Sequence, residues 1–136
     1  MRTITFRGFN ARKNKWLYGD LLHNRGETFI APPGMADPLA TPADFIVSPE
    51  TVGQSTGLQD KDGRDIYEGD IIDWHSSPHL VEFRSGEFFA NSEACDPERY
   101  GGFSLKFISF YGHRHTAKVI GNAADNAEML KGGGQP

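Results

Sequence analysis

Hydrophobic and polar positions alternate over short stretches of this chain and are broken by turn residues, a period-two pattern that predicts many short strands. Ile4 and Phe6 alternate with Thr3, Thr5 and Arg7; Asn10 to Lys15 supplies a turn, and Trp16-Leu17-Tyr18 opens the second strand of a hairpin. Gly19-Asp20 predicts a bend before Leu21-Leu22. Residues 31–49 carry Pro32, Pro33, Pro38, Pro42 and Pro49, which exclude regular helix and any central strand. They predict a long extended loop, with a brief strand at Phe45-Ile46-Val47. Ile71, Ile72 and Trp74 form a strand that Ser76-Ser77-Pro78 ends. Val81 and Phe83 face away from Glu82 and Arg84, and Ser85-Gly86 closes a hairpin onto Phe88-Phe89. Asn91 to Gly102 reads as an irregular connection. Phe103, Leu105 and Phe107 alternate with Ser104 and Lys106 as a half-buried strand, and the shift of phase to Ile108 and Phe110 predicts a bulge or bend. Lys118-Val119-Ile120 is a last short strand, after which Asn126 is placed to N-cap a short helical turn through Met129-Leu130.

Composition agrees with this pattern. Ten Phe, two Trp and four Tyr supply the bulky apolar volume, while 16 Gly and 8 Pro break helices and make turns. At 136 residues the chain can bury roughly two-thirds of its unfolded surface as one core. The expected fold is all-β: a small, barrel-like, strongly curved antiparallel sheet, SH3-like by fold-level analogy, with a long Pro-rich loop and a short C-terminal helical turn. Residues 1–130 read as a single domain and 131–136 (KGGGQP) as a flexible tail. MRTITFRGFN has no apolar run of signal-peptide length, and no stretch approaches the ~20 apolar residues of a membrane-spanning helix. The expected location is the cytoplasm.

The formal net charge is −4, and residues 60–73 hold all of it. Asp60, Asp62, Asp65, Glu68, Asp70 and Asp73 stand there against Lys61 and Arg64 alone. Duplex DNA binding rests on an excess of Lys and Arg, which this chain lacks. Arg2, Arg7, Arg12, Lys13 and Lys15 form its one basic patch. The single cysteine, Cys95, cannot make an internal disulfide and fits a reducing compartment. Its acidic neighbours Glu93, Asp96 and Glu98 disfavour a thiolate, so no catalytic role is assigned to it.

Four local patterns invite a chemical reading. Asp60-Lys61-Asp62-Gly63-Arg64-Asp65 invites comparison with a calcium loop, but glycine comes fourth rather than sixth. Turn chemistry accounts for each residue type instead. Glu68-Gly69-Asp70 reads as a second turn, with no partner at a spacing that would identify acid–base work. Gly53-Gln54-Ser55-Thr56-Gly57 fails as a phosphate loop, since a P-loop has four residues between its glycines and then Lys-Ser/Thr. His113-Arg114-His115 would place two imidazoles on one strand face, with His75 and His79 as partners in space. No complete ligand motif is present. No metal site, cofactor or catalytic residue is assigned.

Residues 51–72 carry a further signal. Thr51-Val52-Gly53-Gln54, Thr56-Gly57-Leu58, Asp60, Gly63 and Ile66-Tyr67-Glu68-Gly69-Asp70-Ile71 resemble the central motif of the YopX family, with Ser55 where an aromatic is usual. Phe6-Arg7-Gly8-Phe9 and Trp16-Leu17-Tyr18-Gly19-Asp20 resemble the family's opening hairpin. Val119-Ile120-Gly121-Asn122 with Asn126-Ala127-Glu128-Met129-Leu130 resembles its closing segment, Ala127 standing where proline is usual. The resemblance implies a β-rich, phage- or prophage-associated protein in the cytoplasm of a bacterial host. It brings no catalytic residues with it.

The leading expectation is a phage-encoded, non-enzymatic binding or assembly protein, acting as a homo-oligomer or on a host or phage protein. Thr51, Val52, Gly53, Gln54, Thr56, Gly57, Leu58, Asp60, Gly63, Tyr67, Glu68, Gly69 and Asp70 would be its structural or partner-binding motif. The alternative is a single-strand nucleic-acid accessory using Arg12, Lys13, Lys15 and Trp16. A divalent-metal enzyme built on the 60–73 carboxylates ranks third.

Overall fold

The computed structural model describes residues 3–35, 37–96, 98, 101–110 and 117–130. Its strands form two antiparallel sheets, and the all-β expectation holds. In chain order they are β1 (Phe6–Asn10), β2 (Lys15–Asn24), β3 (Glu27–Ala31), β4 (Gly53–Gln59), β5 (Asp65–Tyr67), β6 (Asp70–Trp74), β7 (Ser77–Arg84), β8 (Glu87–Asn91), β9 (Gly102–Ser104) and β10 (Lys118–Asn122). The sheet orders are β3-β2-β1-β4-β5 and β10-β6-β7-β8-β9. Both are open orders with edge strands; barrel closure is not found among the described residues.

The chain divides into two compact units, Met1–Ser55 and Thr56–Pro136. In the first, β1 and β2 pair from Phe6↔Gly19 to Asn10↔Lys15, and β2 continues without a break into its pairing with β3. No turn interrupts β2 at Gly19-Asp20; there the strand exchanges β1 for β3 as its partner. Glycine is required at 19 by its φ of 155° and by close approach: a Cβ there would sit 2.0 Å from the Ala31 carbonyl oxygen. Strand β3 was not anticipated. It is launched by Arg25-Gly26, both with positive φ, the signature of a type I′ hairpin turn. Leu17, Ile30 and Val47 form the buried core here, flanked by Phe6, Leu21, Phe45 and Val52.

The proline-rich loop is organised rather than simply extended. Pro38, Pro42 and Pro49 each open a one-turn 3₁₀ helix (Pro38–Ala40, Pro42–Asp44, Pro49–Thr51), where the missing N–H and fixed φ cost nothing. The strand expected at 45–47 survives as an isolated bridge, Phe29↔Ile46. It is flanked by bonds from Ile30 N to Phe45 O (3.0 Å) and from Val47 N to Thr28 O (2.9 Å). The edge of β3 is thus covered, which guards it against pairing with another chain.

In the second unit, β6 is buried on both faces at Asp70, Ile71 and Ile72 and sits between β10 and β7. Ile66, Ile72, Val81, Ala90, Leu105, Ile108, Ala117 and Val119 form the core. The β7–β8 hairpin closes at Ser85-Gly86 as expected, with Val81↔Ala90 and Phe83↔Phe88 in register. Two expectations fail. Ser77 and Pro78 do not end a strand but begin β7, because the turn lies one step earlier, at His75-Ser76, both with positive φ. Of the expected 103–107 strand only Phe103 and Ser104 are extended, within β9; Lys106–Phe110 forms a helical turn, α1. Leu105 and Ile108 then lie three residues apart and are both buried, so the change of phase marks a switch from strand to helical period. The tail at 131–136 lies outside the described residues.

Candidate functional site

The motif at 51–72 is built of polar side chains that serve neighbouring backbone. Thr51 Oγ accepts from Phe9 N at 2.8 Å and donates to Ser48 O at 2.6 Å. Val52 packs on the first core, and Gly53 and Gln54 pair with Arg7 and Phe6. The half-buried Leu58 packs on the second core. Thr56 Oγ, buried, donates to Ile66 O at 2.8 Å and accepts from Leu58 N at 3.2 Å. Gly57 lies exposed within β4 at φ 81°.

Asp60 is the anchor of the motif. Its carboxylate is buried and accepts three backbone N–H groups. Oδ1 takes Asp62 N and Arg64 N, both at 2.9 Å, and Oδ2 takes Val119 N at 2.9 Å. Lys61 N donates to Ala117 O at 2.9 Å, and Asp60 N to Arg64 O at 2.8 Å. One carboxylate thus closes the β4–β5 turn and ties it to β10. Gly63, at φ 80°, takes the left-handed position this turn requires. Lys61, Asp62, Gly63, Arg64 and Asp65 are all exposed. The calcium alternative therefore gives way to the turn reading on direct geometry: both oxygens of Asp60 face amides.

The second turn repeats the device. Asp70, 1% exposed, accepts from Tyr67 N through Oδ2 at 2.7 Å. Gly69 N donates to Val81 O and Gly69 O accepts from Ala123 N, both at 2.8 Å. Glu68 is half-buried beside it. Of the six carboxylates in 60–73, only Asp62 and Asp65 are exposed, so the charged surface is smaller than the sequence suggests.

The basic patch is partly engaged. Lys13 Nζ lies 3.3 Å from Asp44 Oδ1. The Trp16 ring is half-buried, edge-on to Phe9 at 5.5 Å and beneath the Arg7 guanidinium at 4.9 Å. Arg12, within the turn, and Lys15, at the start of β2, are exposed. His113 and His115 lie outside the described residues. Exposed His75 packs edge-on against Trp74 at 4.7 Å, whereas buried His79 places Nδ1 2.9 Å from Ser77 O. Among the described residues no group of three or more His, Cys, Asp or Glu is disposed to hold a metal ion. Cys95 is half-buried; burial first, then the charge of Glu82, raises its thiol pKa, so it stays protonated near neutrality.

Two anchoring residues were not visible in the sequence. Asn10, fully buried, donates from Nδ2 to Ala43 O and Ile46 O and accepts from Lys13 N, fastening the proline-rich loop to the first hairpin. Asn122 Oδ1 accepts from Ala124 N and Asp125 N. Asn126 was expected to cap the 3₁₀ turn Ala127–Met129 through its side chain. That side chain instead turns back, its Oδ1 accepting from Asn122 N at 3.0 Å, and only the Asn126 carbonyl serves the turn, through Met129 N.

Comparison with known proteins agrees with this architecture. A solved structure, that of protein EF1440 from Enterococcus faecalis, superposes with a TM-score of 0.57 at 22% identity, covering 96% of this chain and 100% of the other. At that identity the likeness is one of fold. No curated protein matches the sequence, and no helix among the described residues is long and apolar enough to cross a membrane. The family model described as YopX protein matches residues 5–131, nearly the entire chain, and the chain belongs to the YopX family.

Proposed function

We propose that this is a non-enzymatic binding or assembly protein, phage- or prophage-encoded, that offers the 61–65 turn to a protein partner: a second copy of itself or a host or phage protein. The observation that supports this reading is the combination at the motif. Asp60 is buried and holds the turn with three backbone bonds, while every residue it presents, Lys61 to Asp65, is exposed. A rigid, exposed, charged turn lowers the ordering cost of association and steers a complementary partner. The buried carboxylates are engaged by amides, which argues against their use in acid–base or metal chemistry. The single-strand nucleic-acid reading has less support, because Lys13 is paired with Asp44 and the Trp16 face is covered by Arg7.

The test compares wild type with an Asp62→Asn/Asp65→Asn double variant, by light scattering over a concentration series and by quantitative recovery of the partner from host lysate. The expected result is self-association or a stoichiometric partner in wild type, weakened about tenfold in the variant, with the Trp74 unfolding transition unchanged. A wild-type monomer that retains no partner, or a variant that binds as wild type does, overturns the reading.

A further inference from the structure

The first unit holds a groove that the family motif does not touch. Its volume is about 430 Å³, and its walls are Phe29, Leu39, Pro42, Ala43 and Ile46, with Asn24, Arg25 and Glu27 beside them. That volume lies within the range of small-molecule sites, roughly 300–1,000 Å³. The fold explains how it is made. The β2–β3 hairpin carries Arg25 at its tip in the left-handed conformation, with Asn24 paired to Glu27 across the turn. The opposite wall is the loop of proline-started 3₁₀ turns, fastened by Asn10 to the Ala43 and Ile46 carbonyls. Both walls are thus fixed before any ligand arrives, which reduces the ordering cost of binding.

The polar rim has a specific charge pattern. Arg25, Glu27 and Asn24 make no side-chain hydrogen bond or ion pair among the described residues, so one cation, one anion and one amide stand available beside an apolar lining. A simple anion would meet Glu27, and a simple cation would meet Arg25. A molecule carrying both charges on a short backbone and an apolar body satisfies all of them. We propose that this groove binds a free α-amino acid with a large apolar side chain. The side chain would lie on Phe29, Ile46, Leu39 and Pro42, the carboxylate against Arg25 and the ammonium against Glu27. Asn24, which can donate and accept, would complete the polar contacts. This proposal is independent of the partner-binding reading of the 61–65 turn.

The experiment is an NMR titration of the full chain with L-phenylalanine. The expected result is saturable shifts confined to the backbone amides of residues 24–29 and 39–46. Arg25→Gln and Glu27→Gln should each weaken binding about tenfold, since charge-assisted bonds are the stronger class. Both variants are at exposed positions, and unchanged Trp16 emission confirms that they are folded. N-acetyl-L-phenylalanine and L-phenylalanine amide, each lacking one charge, should weaken to a similar degree. Shifts that do not saturate by about 10 mM overturn the proposal. Equally tight binding of N-acetyl-L-phenylalanine amide also overturns it, and would mark the groove as a site for an internal peptide segment.

Discussion

Tyr18-Gly19-Asp20-Leu21-Leu22 and Tyr67-Glu68-Gly69-Asp70-Ile71-Ile72 are nearly the same words, and the molecule uses them for opposite purposes. In the first, Tyr18 is 45% exposed, Gly19 lies within β2 at φ 155°, and Asp20 is exposed. In the second, Tyr67 is 6% exposed, Gly69 turns the chain at φ 94°, and Asp70 is 1% exposed beneath the Tyr67 amide. The added residue, Glu68, supplies the length needed for Asp70 to reach back to residue 67 as a turn-closing acceptor. Without it, the chain stays in a strand, and the glycine at 19 is required both by the space beneath Ala31 and by its own φ of 155°. A Gly-Asp pair therefore announces only that a side chain is disfavoured at the glycine, and the neighbours decide whether the chain turns there or continues as a strand.

Substitutions at matched positions should separate the two words. The largest contrast is at tyrosine. Tyr67→Ala should cost about 3–5 kcal/mol, as for other buried aromatics, whereas Tyr18→Ala should cost under about 1 kcal/mol; urea unfolding followed by Trp74 and Trp16 emission measures each in its own unit. Next comes glycine. Gly19→Ala drives a Cβ into the Ala31 carbonyl and should cost about 3 kcal/mol, against about 1–2 kcal/mol for the left-handed strain of Gly69→Ala. An equal cost at the two sites would show that they share a role. The smallest contrast is at aspartate: Asp70→Ala removes the buried acceptor of the Tyr67 amide and should cost about 2 kcal/mol, while Asp20→Ala should stay within about 0.5 kcal/mol.

Local signals in the sequence were read correctly where a short stretch decides its own conformation. Ser85-Gly86 between Phe83 and Phe88, and Asp60 to Gly63 between β4 and β5, are turns for reasons contained in those residues. Part of the constraint on Gly19 comes from Ala31, in a different strand, where no local pattern shows it. Phe103 to Phe107 alternated like a strand although burial of Leu105 and Ile108 follows the helical period, and over so few residues the two periods overlap. The candidate site divided in the same way. The failure of the calcium and phosphate templates was legible from spacing alone. The burial of Asp60 against Val119, the grip of Asn10 on Ala43 and Ile46, and the groove between the β2–β3 hairpin and the proline loop join residues far apart in the chain, so no local pattern encodes them.

The central claim is that the motif's anchoring carboxylates hold backbone rather than substrate, and Asp60 tests it most directly. Native-state hydrogen exchange on Asp60→Ala reads its three acceptor bonds individually, at the amides of Asp62, Arg64 and Val119. The account predicts that all three lose protection together and that the second unit is destabilised by about 2–3 kcal/mol, the range for hydrogen bonds to a charged group. Wild-type protection at those amides, with only partner retention lost, would contradict it and make Asp60 a contact residue.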